Sequence, residues 1–571
     1  MPDFPTRPLG AIPKDDGVQF RVWAPKAESI NLALHDPAQL LPMNDAGYGY
    51  FERFVEGAAP GARYRYGLDN AHRFPDPASR FQPDGVHNAS VVVDPTQYSW
   101  SDSDWAGLAR DERVVYELHV GTFTEAGTFA GVQDKLDHLA DLGVTAIELM
   151  PVADFPGRWN WGYDPAAFYA PSRAYGSPDD LRALVDAAHQ AGLAVFLDVI
   201  YNHLGPDGAY VAAFAPMFTD KHETPWGQAI NLDDEHSAGV RHFFIHNALH
   251  WLHEYHLDGL RLDATHALHD ESTPHFLAAL HDAVHQLDGP RRHLIAEDPR
   301  NPNHFLQPRA KGGYGLDGIW ADDFHHQVRH LTAGDSEGYY ASYDGHTTEE
   351  LATTVRDGWY YRGQTFPSTG EPWGTDPGGI DLDQCVICIQ NHDQVGNRPT
   401  GRRLTDGVAP AAYRAATALL LFAPETPLLF MGQEWAASAP FQFFTDHYAE
   451  LGEQVRAGRK REFEDFSGFQ GTAPDPQAEA TFRRSKLDWD EAARGDHAKT
   501  LALYRDLLAL RPALPDLTDA TAHGDHGLHV QRGDYHLLVA FAEDQSMPCP
   551  PDAELHLHTE AETYTSGGQP P

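Results

Sequence analysis

The chain has 571 residues, 42% of them hydrophobic, enough for a large core and for several domains at roughly 150 residues each. It carries 42 Lys and Arg against 83 Asp and Glu, a formal net charge of −41, which argues against a nucleic-acid or anionic-membrane surface and reads as solubility. The most apolar run, 418–423, stops at Pro424 and is too short to cross a bilayer, and the opening MPDFPTRPLGAIPKDDG has no apolar core for a signal peptide.

Residues 1–106 are rich in short β-type runs (VQFRVWAP, INLALH, GYFERFV, RYRYGLD) separated by Gly, Pro and Asp turns, which predicts an N-terminal β-sandwich. It is expected to shape the cleft rather than to bind glycan itself. From about residue 107 apolar runs alternate with helical stretches. The runs are 114–119, 144–150, 194–199, 259–263, 293–297, 318–322, 385–391 and 427–432. Ser177-Pro178 opens a helix over 179–191 with a capping residue and a first-turn proline. Further helices are expected within 234–256, 274–287, 410–422 and 498–511. Eight strand–helix repeats predict an α/β fold, a (β/α)8 TIM barrel over 107–512. Long connections at 203–233, 323–384 and 433–497 would wall a deep cleft on the strand-to-helix face. HGLHVQRG and YHLLVAFAED place a small C-terminal β-domain in 513–571.

Three cysteines are present, two of them in CVICIQ as Cys385-x-x-Cys388. With no second pair and no helix start, buried thiols are expected rather than zinc or redox chemistry, and a reducing, cytoplasmic setting follows. The stretch Arg158–Asp164 (RWNWGYD) has the aromatic rings that suit sugar faces; a packed loop explains it almost as well.

The chemistry is concentrated where a barrel enzyme keeps it, at the C-terminal ends of the strands. Asp198, Asp263, Glu297 and Asp393 all fall there, with His203 and His392 beside them. In the run Leu260-Arg261-Leu262-Asp263 the arginine and aspartate lie two apart and face the same side. Such a pair is costly in an apolar strand unless used, and Arg261 can hold Asp263 ionised as a nucleophile. Glu297 follows Leu294-Ile295-Ala296, an apolar setting that suits a proton donor. Two carboxyls in unlike surroundings are what glycoside hydrolysis requires, about 5–5.5 Å apart in a retaining enzyme. Asp393 is then available to bind sugar hydroxyls. One such acid is ordinarily a helix cap or a salt-bridge partner; four on successive rim positions are not easily explained that way. His325-His326, near Asp322 and Asp323, are adjacent on one helix start and do not converge on a metal.

DVIYNH (198–203), GLRLDATHA (259–267), AED (296–298) and QNHDQVGNR (390–398) resemble the four signature regions of the α-amylase superfamily, glycoside hydrolase family 13. The resemblance implies a retaining mechanism on α-glucosidic bonds, with Asp263 as nucleophile, Glu297 as general acid/base and Asp393 as transition-state stabiliser. Arg261, His203 and His392 match positions that contact the nucleophile or the sugar being cleaved, Tyr163 matches the residue stacked under that sugar, and Asp164 follows it. YELHVGTF and WGYD narrow the choice to branching enzymes and maltooligosyltrehalose trehalohydrolases. YNHLGPDGAY, RLDATHALHD, ADDFHH and GRKREF resemble the second group. Its substrate is maltooligosyl trehalose. Many amylases carry Lys-His where this chain has His266-Ala267, which suits a different leaving sugar. Asn202 matches an amylase calcium ligand, but the rest of that site is not recognisable, so neither metal nor cofactor is expected.

Overall fold

The computed structural model describes residues 7–69, 72–464, 473–542 and 545–566. The first six residues, the side chains that end GRKREF and the last two positions of YHLLVAFAED lie outside the described residues.

The N-terminal runs form two antiparallel sheets. Gly10–Lys14, Gly17–Trp23, Tyr50–Glu56 and Asn44–Asp45 make one; Ala38–Pro42, Ile30–His35, Arg63–Leu68 and His72–Phe74 make the other, with Ser90–Val91 pairing to Arg63–Leu68. Alternating side chains such as Val18, Phe20, Val22, Leu32, Tyr64 and Tyr66 meet between them. Phe214, from the loop after the third barrel strand, is buried in the same core and docks the sandwich on the barrel.

Eight parallel strands close the barrel in chain order. They are β1 (Val115–Leu118), β2 (Ala146–Leu149), β3 (Ala194–Val199), β4 (Gly259–Leu262), β5 (His293–Glu297), β6 (Gly318–Trp320), β7 (Cys385–Cys388) and β8 (Thr426–Phe430). All eight expected strands are present; β3 and β5 have the expected bounds, β8 lies at 426–430 instead of 427–432, and the other five are shorter at their ends. Their period of two sorts the interior into layers. Val115, Ala146, Phe196 and Ile295 pack the floor, and two residues later Glu117, Glu148, Asp198 and Glu297 stand above them. The same alternation that builds a core below therefore raises a ring of acids at the top. Cys385 and Cys388 are free and buried on β7.

Ser177 caps the helix Pro178–Gln190 as expected, accepting from the Asp180 amide. The helices Ser237–Glu254, Phe276–Val284, Pro410–Phe422 and Gly495–Leu510 fill the other expected places. The connection over 323–384 differs from expectation. Helix Asp322–Ala333 begins as β6 ends, and helix Thr348–Asp357 and a hairpin follow, so most of this stretch is not a strand-to-helix loop. Its apolar spacing is masked in the sequence by Asp, His and Arg that are nonetheless buried, among them Asp323, His325, His326 and Arg329. The C-terminal strands Leu517–His523, Gly527–Arg532 and Tyr535–Ala540 form one antiparallel sheet, anchored by Arg356 on the Ala520 carbonyl (3.2 Å) and Arg532 on that of Phe422 (2.9 Å). Among the described residues no helix is long and apolar enough to cross a membrane.

Candidate active site

Arg261 organises the rim. Pointing inward from β4 and fully buried, it donates through Nη1 to Asp198 Oδ2 (2.7 Å) and Asp263 Oδ1 (2.8 Å), and its Nη2 lies 3.0 Å from Glu297 Oε2. The guanidinium packs over Trp320 at 4.3 Å. Register explains the convergence, since Arg261 pairs beside Asp198 on β3 and Glu297 ends β5. Asp198 and Asp263 are held in place by charge-assisted bonds to this one cation, with the Glu297 carboxyl beside its other nitrogen.

Asp263 follows β4 directly and has both oxygens engaged, Oδ1 by Arg261 and Oδ2 by Asn202 Nδ2 at 2.7 Å. Its lone pairs are thus fixed in direction. Glu297 receives the Ala264 amide on Oε2 at 2.7 Å. Ala264 sits in the left-handed region (φ +42°), a conformation costing an alanine about 1–2 kcal/mol, and that turn aims its N–H at the acid. Burial lifts the Glu297 carboxyl to about 8 against the pull of Arg261, with the neighbouring Asp263 and Asp393 charges adding to the rise. Asp263 accepts hydrogen bonds on both oxygens, whereas Glu297 holds a proton at neutral pH, although they share one arginine.

His392 lies on the opposite side of the site. Its Nδ1 bonds Glu117, a β1 carboxylate that also accepts the His392 amide at 2.9 Å. Nε2 donates to the Tyr163 hydroxyl at 2.6 Å, which in turn donates a hydrogen bond to Asp198 Oδ2 at 2.7 Å. Burial opposes charge on this ring, but Glu117 and Asp393 more than offset it and raise His392 to about 9. Tyr163, half-buried, stacks on His392 with ring centres 5.2 Å apart. Asp393 is the most open of the three acids, held by Asn397 at 3.0 Å and 3.5 Å from His392 Nε2.

Of the other expected residues, His203 bonds the Tyr163 carbonyl (2.9 Å) and Asn202 Oδ1. Asn202 is therefore fully used in linking His203 to Asp263. Asp164 is turned into the protein, accepting from Asn160 (2.6 Å) and facing His447 Nε2 at 3.2 Å; burial would raise its carboxyl, but His447 and Asn160 keep it below the ordinary range. His266 lies on the turn after Asp263 with its Nδ1 buried and lacking a bonding partner among the described residues. Trp159 and Trp161 are packed, stacked on Phe482 and Phe441, so of the three rings in that stretch Tyr163 alone belongs to the site. His325 and His326 pack against tyrosines, and no group of three metal-type side chains converges among the described residues.

Two participants escaped the sequence reading. Glu117 was hidden inside an apolar run, where the only signal is that an acid at an inward position must have a partner. Trp226, half-exposed on the hairpin of 218–230, stacks on His203 (5.3 Å, 13°) and approaches His266 at 6.3 Å. Its signal is a lone tryptophan in an otherwise polar turn.

Known proteins agree with this geometry. Residues 93–225 match the model of the alpha-amylase catalytic domain, and 8–96 match carbohydrate-binding module 48, the isoamylase N-terminal domain. A malto-oligosyltrehalose trehalohydrolase from Deinococcus radiodurans is 49% identical over 90% of this chain and 84% of its own length. Another from Saccharolobus solfataricus is 39% identical over 92% and 89%. A 1,4-alpha-glucan branching enzyme from Corynebacterium jeikeium is more distant, 28% identical over 86% and 69%. A crystal structure of an alpha-amylase-like protein from Salmonella typhimurium superposes with a TM-score of 0.89 at 38% identity, covering 95% of each chain. A closed barrel bearing this acid cluster, with relatives at these identities over nearly the whole chain, belongs to the malto-oligosyltrehalose trehalohydrolase family of the α-amylase superfamily.

Proposed function

We propose that the protein is a retaining glycosidase that cleaves the α-1,4-glucosidic bond beside the terminal trehalose of maltooligosyl trehalose and releases trehalose. The observation that carries the reaction type is the shared guanidinium of Arg261, with Asp263 on one nitrogen and Glu297, lifted to about 8, on the other. Carboxyls on neighbouring nitrogens of one guanidinium are close, which favours the ~5–5.5 Å retaining spacing over the ~6.5–9.5 Å of an inverting site.

The steps follow from the bonds. Asp263 attacks the anomeric carbon as Glu297 gives its proton to the glycosidic oxygen, and trehalose leaves with that proton. A glucosyl ester on Asp263 remains. Glu297, now ionised, takes a proton from water as the water oxygen bonds the same carbon and the ester breaks, restoring both groups. Tyr163 lies beneath the ring, while Asp393 and the charged His392 hold its hydroxyls. Arg261 holds Asp263 Oδ1 in place by its hydrogen bond before attack and again as the ester breaks.

The substrate reading is supported by relatives of 39–49% identity that bear the trehalohydrolase name, against 28% for the branching enzyme. The reading includes a cytoplasmic setting, supported by three free cysteines of which Cys549 is exposed.

Product analysis tests it. Maltooligosyl trehalose is expected to give free trehalose, and the matching plain maltooligosaccharide to be attacked much more slowly. Equal attack on both would make this a general α-1,4-glucan hydrolase. Longer or branched chains without free trehalose would make it a transglycosylase.

A further inference from the structure

Asp393 is the least restrained of the three acids. Among the described residues its carboxyl receives one hydrogen bond, from Asn397 Nδ2 at 3.0 Å, and His392 Nε2 stands 3.5 Å away. The direction of the carboxyl is therefore decided by Asn397. That residue closes the short helix His392–Gly396, one turn after Asp393, with its own amide on the Asp393 carbonyl at 2.9 Å.

What fixes Asn397 comes from a distant part of the chain. Helix Ala449–Glu464, in the long connection after β8, carries Arg459, the second residue of the GRKREF stretch. Arg459 Nη1 donates to Asn397 Oδ1 at 3.2 Å, and Nη2 donates to the Gly396 carbonyl at 3.0 Å. One guanidinium thus satisfies a carbonyl that the end of the short helix leaves open and grips the side chain just beyond it. The guanidinium lies over the Phe443 ring at 4.7 Å, and Phe443 meets Trp161 at 5.1 Å. Trp161 also lies against Gly396, where a Cβ would come within 2.1 Å of the indole, so the turn can settle there only with glycine. On the other flank Arg398 is tied to Asp335 at 2.9 Å. The segment 396–398 is clamped from several elements, and Asn397 is left pointing at Asp393.

Donor and acceptor chemistry sets the direction of the link. A guanidinium has only donors, and a carboxylate has only acceptors. The Asn397 amide fits between them one way round, oxygen to Arg459 and nitrogen to Asp393; turned over, it would set donor against donor and acceptor against acceptor. Each of the two bonds has a charged end, which makes it the stronger class, and both polarise the amide in the same sense. We propose that Arg459 is a positioning residue for the reaction, holding Asp393 through Asn397 in the direction that stabilises the transition state. The connection after β8 is then part of the catalytic apparatus. This rests on the glycosidase reading above. Displacing one catalytic group by about 1 Å can cost about 10²-fold in rate. Ground-state binding of a glucan is spread over many contacts, so the effect belongs in kcat rather than in KM.

The test is a double-mutant cycle in the full chain, read as kcat and KM for trehalose release from maltooligosyl trehalose. Arg459→Met keeps the length of the stem and removes the fork, and Asn397→Ala removes the relay. Arg459→Met is expected to lower kcat about tenfold, the equivalent of about 1.4 kcal/mol, with KM within about twofold. Asn397→Ala is expected to cost about tenfold or more. The double variant should lose no more than Asn397→Ala alone, because the arginine acts only through that amide. Losses that multiply, or wild-type kcat in Arg459→Met, overturn the proposal. So does a change confined to KM and the thermal midpoint, which would mark Arg459 as a helix cap and nothing more. Should Arg459→Met fail to fold, Arg459→Lys, which keeps the charge and loses the fork, takes its place in the cycle with the same two readings. A wild type that hydrolyses no α-1,4-glucan sinks the glycosidase reading and this role with it; an active wild type with multiplying losses sinks this role alone.

Discussion

The strand β4 carries an aspartate at each end, and the two are wired in opposite ways. Asp258, just before it, receives Trp105 Nε1 (2.6 Å), the Val195 amide (2.8 Å) and His189 Nε2 (2.9 Å). His189 in turn bonds Asp102 (2.9 Å), which also holds His256 (2.8 Å), and Trp105 stacks on the His189 ring. Every polar atom of that imidazole is used, and the cluster ties the segment entering β1 to the barrel floor. Asp263, just after β4, belongs to a network that is left open. Asp198 Oδ1 and both Glu148 oxygens are buried without partners among the described residues, and Asp393 faces the cleft. Burial raises Asp198 to about 6 despite Arg261, and pushes Glu148 well above the usual carboxylate range. A closed network of buried charge fixes structure; an open one stores groups in protonation states that a substrate can exploit.

The sharpest way to break this contrast is at Asp263. Asp263→Asn keeps the shape and removes the nucleophile, so kcat for trehalose release should fall about 10⁴-fold or more, with the thermal midpoint almost unmoved. A variant that retained activity would end the assignment. Glu297→Gln should cost about 10²–10⁴-fold on the natural substrate. The loss should shrink on a glucoside whose leaving group needs no proton. Equal losses on both would show that Glu297 does not act as the acid.

At the closed end the expected effect is on stability instead. Asp258→Ala leaves His189 Nε2, Trp105 Nε1 and the Val195 amide buried without their acceptor and should destabilise the fold by about 3 kcal/mol, read by denaturant or thermal unfolding, while kcat changes little. Burial opposes charge on His189, but its Asp258 and Asp102 partners hold its pKa above the usual 6.5. The contribution should therefore be full below about pH 6.5 and fade as pH rises through the folded value. The gap in midpoint between wild type and His189→Gln should narrow toward alkaline pH; a gap that widened there would mean His189 is neutral in the fold.

The two networks were not equally legible. The open one was visible because a barrel puts its chemistry at strand ends, so Asp198, Asp263, Glu297 and Asp393 could be lined up from strand periodicity alone. The closed one draws on Asp102 and Trp105, in the last residues assigned to the sandwich, and on a histidine inside a helix. No local pattern marks a partner 69 or 87 residues away. Asp164 was legible as a neighbour of Tyr163 but not in its direction, which the loop after β8 decides through His447. A helix start was read at His325-His326, but the extent of helix Asp322–Ala333 was hidden because its buried face is largely polar. Sequence pattern exposes apolar contacts and misses polar ones made across the chain.

Glu117 gives the smallest and most diagnostic test of the open network. Its carboxylate is the larger of the two charges, with Asp393, that lift His392 to about 9 in a place where burial alone would discharge it. In the wild type the alkaline fall of kcat/KM is expected near 8, where Glu297 loses its proton. Glu117→Gln preserves size and one acceptor but removes the counter-charge, so His392 should lose its proton before Glu297 does. The alkaline limb should then move to lower pH, with a modest drop in kcat at the optimum. Glu297 itself is governed by burial, Arg261, Asp263 and Asp393, so a limb that moves reports His392. A limb that stays near 8 would mean that the charge on His392 is not needed in the transition state and that Glu117 serves only to orient the ring.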